Sequence, residues 1–148
     1  MQQVGKGVGD LHLKDVNVTD DLTQVGRVDV VLFAVKLWDT ETGGEQTCPL
    51  LGPESRVITL QNGVDSVERL APILGEEATM AGTTYVVTTI AKPDVIHHTG
   101  TTARIRCGRL DGHPDAIIAG YVEQTKAGNV DSSRAEGRPL DARSVPAK

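Results

Sequence analysis

Val28-Asp29-Val30-Val31-Leu32-Phe33-Ala34-Val35-Lys36 is an apolar run with one early acid and a terminal lysine. Its length and β-branched content are those of a central strand in a parallel sheet, which is covered on both faces and so lacks polar alternation. Asp29 then falls at the exposed start of the strand and Lys36 at its carboxyl end.

Downstream, residues 39–51 are the returning helix. Gly43-Gly44 and Pro49 interrupt it, and a glycine costs about 1 kcal/mol against alanine inside a helix, so a short helix is expected. Gly52-Pro53 ends it. Arg56-Val57-Ile58-Thr59-Leu60 reads as the next strand and Gln61-Asn62-Gly63 as its turn. Val64, Val67, Leu70, Ala71 and Leu74 then recur at helical spacing, with Gly75 as the stop. A strand rich in Thr and Val follows over 79–87. Two shorter strands, 95–98 and 103–107, should form an antiparallel hairpin toward one edge. Pro114 opens a helix over 114–126. Upstream, Leu11, Leu13, Val16 and Val18 suggest a short strand entered through a glycine turn.

The order strand, helix, strand, helix, strand predicts an α/β fold, a partial Rossmann-like domain with a mainly parallel sheet and an edge hairpin. Residues 1–130 form that domain. Beyond it, DSSRAEGRPLDARSVPAK has no periodicity and few bulky apolar residues, so 131–148 reads as a disordered tail. Strands 28–35 and 56–60 should be parallel neighbours that bury Val31, Phe33, Val57, Ile58, Val67 and Leu70.

Composition narrows the partners. The 148 residues carry a net charge of −5, hydrophobic content is 39% and aromatics only 3%. No basic stripe suggests a nucleic acid, no apolar run is long enough for a membrane helix, and MQQVGKGVGD holds no signal-like stretch. Cys48 and Cys107 show no metal-ligand or disulfide spacing. A cytoplasmic protein with reduced thiols is the expectation, with no metal, no membrane and no nucleic acid.

In open α/β sheets ligands bind at the carboxyl ends of the strands, where Lys36 and Asn62 fall. Lys36 offers a cation to a phosphate or polar group; its plain alternative is a solvated strand end. Asn62 offers both a donor and an acceptor, suited to a ribose, a nicotinamide or a substrate hydroxyl; its alternative is a turn residue. Gly63 either admits a ligand to the backbone or makes the turn. Gln61 should point to the opposite face from Asn62. Thr83 and Thr84 read as structural. His97 and His98 point to opposite faces of a strand and cannot act as a pair. Cys107 reads as a small buried apolar residue.

Four segments carry a family likeness: DVVLFAVKLWDTE, VITLQNGVDSVERLAPILG, AGTTYVVTTIAKPDVIHHTG and ARIRCGRLDG. In this order and spacing they resemble the middle of a ketopantoate reductase (2-dehydropantoate 2-reductase), over roughly residues 11–128. The resemblance implies an oxidoreductase that reduces a small keto acid, ketopantoate, with NADPH in pantothenate biosynthesis. It places cofactor contacts at Lys36, Asn62 and Gly63. The family's opening GxGxxG turn has no counterpart: Val4-Gly5-Lys6-Gly7-Val8-Gly9 follows no expected strand and precedes no helix. The family's catalytic lysine, on a helix after the Rossmann domain, is not matched either, so no catalytic residue is assigned. A second hypothesis follows, a non-catalytic remnant or interaction module derived from a nucleotide-binding domain.

Overall fold

The computed structural model describes residues 2–5, 11–62, 65–127 and 130–134. In chain order these form β1 (Gln2–Gly5), β2 (Leu11–His12), β3 (Val30–Phe33), α1 (Thr40–Thr47), β4 (Arg56–Thr59), α2 (Ser66–Leu74), β5 (Thr79–Lys92), β6 (Val95–Gly108), α3 (Ala116–Ala127) and β7 (Asp131–Arg134). One sheet runs in the order β2-β1-β6-β5-β4-β3, with β7 also paired to β6. β3–β4, β4–β5, β1–β6 and β6–β7 are parallel, while β1–β2 and β5–β6 are antiparallel.

Alternation along the strands divides the core between two faces. On one, Phe33, Val57 and Leu70 pack together with Val31, Leu51 and Leu74, under α1 and α2. On the other, Ile58, Met80 and Cys107 meet Ile118 and Val122 of α3, with Val30, Leu60 and Tyr121 alongside. Val57, Ile58 and Leu70 are fully buried, and Phe33 and Val67 nearly so. Val31 is half-buried. The parallel β3–β4 pairing and its helical cover are therefore as the sequence indicates. Val31 aligns with Val57 and Phe33 with Thr59.

α1 is short, as expected, but its glycines do not break it. Gly43 and Gly44 lie inside the helix and are buried. A Cβ on Gly43 would sit 3.2 Å from the Phe33 ring and one on Gly44 3.0 Å from Leu70 Cδ2. The glycines trade helix propensity for close packing of α1 against the sheet and α2. A bidentate ion pair from Arg69 to Glu41, both contacts at 2.7 Å, joins the two helices on their outer side.

Several sequence expectations are corrected. Residues 95–108 form one continuous strand instead of two, and its hairpin partner is the long β5, through a turn at Pro93-Asp94. Of the upstream strand only Leu11–His12 is regular, and Leu13, Val16 and Val18 are exposed. β1 ends at Gly5, inside the glycine-rich segment, and the next described element is β2; residues 6–10 lie outside the described residues. The polar Asp131–Arg134 is not tail but strand, with Ser132 buried and Asp131 paired to Arg104 at 2.6 Å. Backbone pairing to β6 supplies what its side chains do not. Residues 135–148 lie outside the described residues.

At the amino end of β4, Arg56 donates to Asp115 at 2.8 Å, with both side chains largely buried. Asp115 also accepts from the Ile118 backbone amide at 3.0 Å, capping α3. No described helix is long and apolar enough to cross a membrane.

Candidate functional site

Because β3 and β4 are parallel, their carboxyl ends open on the same side of the molecule. The chain leaves β3 through Ala34, Val35 and Lys36 and turns at once into a 3₁₀ turn, Leu37–Asp39, that leads into α1. It leaves β4 through Leu60, Gln61 and Asn62. The Leu60 amide donates to Phe33 O at 2.8 Å and keeps the two exits side by side.

Between them lies an open cleft of about 350 Å³, lined by Val35, Lys36, Trp38, Leu60, Gln61 and Asn62 among others. Two residues singled out from sequence, Lys36 and Asn62, are thus brought to one cleft, and both are exposed. Among the described residues neither side chain has a hydrogen-bond partner, so the ammonium and the amide stay open to a ligand. Gly63 lies outside the described residues.

The residue that sequence reasoning undervalued is Gln61. β4 ends at Thr59, so strand alternation does not set its facing, and it is buried where Asn62 is exposed. Its Nε2 donates to Val35 O at 3.1 Å and to Thr40 Oγ1 at 2.9 Å, and lies 3.4 Å from Lys36 O. Its Oε1 accepts from Thr59 Oγ1 at 3.4 Å. The Asp39 amide donates to Lys36 O at 2.9 Å, and Thr40 Oγ1 donates to Leu37 O at 2.8 Å. One buried side-chain amide thereby clamps the β3 exit to the β4 exit and fixes the backbone that carries Lys36. Its only sequence signal was its place beside Asn62 at a strand end.

The other candidates fall elsewhere. His98 is buried, with Nε2 3.1 Å from Thr102 O, while His97 is half-buried. Cys107 is fully buried in the α3-side core, and burial pushes its thiol up to about 11. Thr83 and Thr84 lie within β5 and are not among the residues that line the cleft. A roomier cleft of about 460 Å³ lies beside α2 at the amino end of β5. Arg109 there is held by Glu77 and Asp111, so its charge is already spent on neighbours, and that cleft is the weaker candidate.

A nucleotide cofactor fits this surface in part. Lys36 and Asn62 offer donors and an acceptor suited to the ribose and carboxamide end. A pyrophosphate asks for a helix N-terminus free of negative charge. Both helices that start at this edge carry acids there, Glu41 in α1 and Glu68 in α2, with Asp39 and Asp65 at the caps. Among the described residues, neither helix N-terminus at this edge offers a phosphate cradle.

Comparison with known proteins agrees with this fold. Residues 1–112 match the family ApbA, ketopantoate reductase PanE/ApbA. The 2-dehydropantoate 2-reductase of Halobacterium salinarum is 28% identical over 120 residues, which cover 79% of this chain and 38% of that protein. An uncharacterized oxidoreductase of Bacillus subtilis, YkpB, is 27% identical over 117 residues, covering 68% of this chain and 39% of its own length. The crystal structure of 2-dehydropantoate 2-reductase from Geobacter metallireducens superposes with a TM-score of 0.81 at 25% identity, over 90% of this chain and 44% of that one. The chain thus spans less than half the length of these relatives. With a family match across most of its length and that family's fold, the chain belongs to the ketopantoate reductase PanE/ApbA family.

Proposed function

We propose that the chain forms one wall of the site of an NADPH-dependent 2-dehydropantoate 2-reductase, the enzyme that reduces ketopantoate to pantoate for pantothenate synthesis. The observation that carries this reading is the meeting of Lys36 and Asn62, both without a side-chain partner among the described residues, in the cleft at the carboxyl ends of β3 and β4. Bound NADPH would supply the hydride. The chain's own part is to hold and orient: Asn62 gives and accepts hydrogen bonds, Lys36 places a positive charge beside them, and Gln61 keeps both exits in register.

Titration of the purified chain with NADPH, followed by the cofactor's own fluorescence, tests the reading. Weak saturable binding is expected, and Asn62→Ala should weaken it about five- to tenfold, the worth of one or two hydrogen bonds. Binding that Asn62→Ala and Lys36→Ala leave untouched would place the cofactor elsewhere. A second reading, a non-catalytic remnant or interaction module, has the acids at both helix N-termini in its favour. Complete absence of NADPH binding would decide for it.

A further inference from the structure

The chain's single tryptophan, Trp38, lines the same cleft as Lys36 and Asn62 and is 77% exposed. Phe33, by contrast, is buried in the core. An indole is the largest apolar surface a side chain can offer, and leaving it in water forgoes that burial unless something else covers it. Its backbone is not loose. The 3₁₀ turn that carries it is closed by Asp39 N–H to Lys36 O, braced by Thr40 Oγ1 to Leu37 O and clamped by Gln61 through Val35 O and Thr40 Oγ1. Anchoring of this kind lowers the ordering entropy lost when a ligand meets the ring.

The cleft thus combines a flat apolar wall, a cation and an amide that both donates and accepts. This set complements a planar aromatic ring bearing a carboxamide: the ring stacks on the indole while the carboxamide exchanges hydrogen bonds with Asn62. We propose that Trp38 is a ligand-contact residue, the stacking wall for the nicotinamide ring. This rests on the cofactor reading given above and extends it to a residue that reading does not use.

The single indole gives one Nε1–H cross-peak in the isotope-labelled chain, resolved from every backbone amide. We would titrate reduced nicotinamide mononucleotide, adenosine bisphosphate and NADPH separately and follow that peak together with the Asn62 side-chain amide. The mononucleotide is expected to move both with one midpoint. Trp38→Ala should raise that midpoint about tenfold and Trp38→Phe by no more than about twofold, as for stacking on an aromatic face. If the mononucleotide moves Asn62 while the indole stays still, or Trp38→Ala binds as wild type, the stacking role is wrong and the cofactor reading survives. An indole that responds to adenosine bisphosphate alone would also overturn it, by assigning the ring to the adenine. If no probe moves either group, both the stacking role and the cofactor reading fall.

Discussion

Gln61 and Asn62 are adjacent amides with opposite surroundings, and the difference is measurable. Removing the Gln61 amide leaves the buried Thr40 Oγ1 short of a donor and frees the part-buried Val35 O, and an unsatisfied buried polar group costs about 1–3 kcal/mol. Gln61→Leu should therefore lower the urea midpoint clearly. Asn62→Ala removes an exposed side chain with no described partner and should shift stability by less than about 0.5 kcal/mol. Equal midpoints for the two variants would show that the clamp carries no weight. The sites of Lys36 and Asn62 were legible because each follows an apolar strand, and strand ends on one side of a parallel sheet collect ligands. Gln61 was less legible because a polar residue at a turn reads as surface. Only the packed Thr40 and the returning β3 exit reveal that its partners are the buried Thr40 hydroxyl and the carbonyls of the β3 exit. Trp38 stood in the quoted sequence throughout, yet its exposure depends on the 3₁₀ turn, for which the sequence carried no distinct signal.

Element by element, the parts with strong hydrophobic pattern were readable and the parts held by backbone pairing were not. β3, β4 and α2 lie within the stretches expected for them and α3 runs one residue past its own, since each buries a face that its periodicity announces. β7 is four polar residues that pair with β6, and no side-chain pattern could mark it. The ion pair between Arg56 and Asp115 escaped notice for a related reason: its members lie 59 positions apart. It joins the start of β4 to the cap of α3 and so ties the second helical layer to the sheet. Burial works against the ionised Asp115, but the hydrogen bonds from the Ile118 amide and from Arg56 outweigh it, and its carboxyl is held below the ordinary value of 3.8. A lowered carboxyl stabilises the fold above its ordinary range, and that contribution disappears as pH falls through the depressed value. Asp115→Ala should cost about 2–4 kcal/mol at neutral pH, combining a lost cap with a stranded buried cation. Its unfolding midpoint should draw closer to that of the wild type as the medium is acidified. Parallel pH curves for the two proteins would mean that this pair does not govern the acid limb.

At the scale of the whole molecule, charge decides what the described residues can do with a cofactor. The chain is acidic, and at the edge where β3 and β4 end, acids occupy the first turns of α1 and α2. Glu41 is engaged by Arg69, whose hydrogen bond holds the carboxyl down at about 2, so that acid stays charged through the physiological range. A pyrophosphate approaching either helix would meet like charge where a phosphate site needs free amides. In the proposed reading the amide and ribose end of NADPH meets Lys36 and Asn62, while its phosphates find no free helix N-terminus among the described residues. Hydrogen bonds to charged groups are worth about 1.5–3 kcal/mol each, so lacking several of them weakens binding by several kcal/mol. Reduction also needs a donor aimed at the oxygen that becomes an alkoxide, and loss of one such donor lowers rates about a hundred- to a thousandfold. Lys36 is the one cation among the residues lining the cleft, and the proposed reading uses it for the cofactor. The expected outcome is that the 148-residue chain binds NADPH weakly and turns over no measurable ketopantoate. Consumption of NADPH, followed with and without ketopantoate at saturating cofactor, checks this directly. Ketopantoate-dependent oxidation abolished by Asn62→Ala would show that the cleft completes the chemistry unaided, and would move Lys36 from the cofactor to the carbonyl.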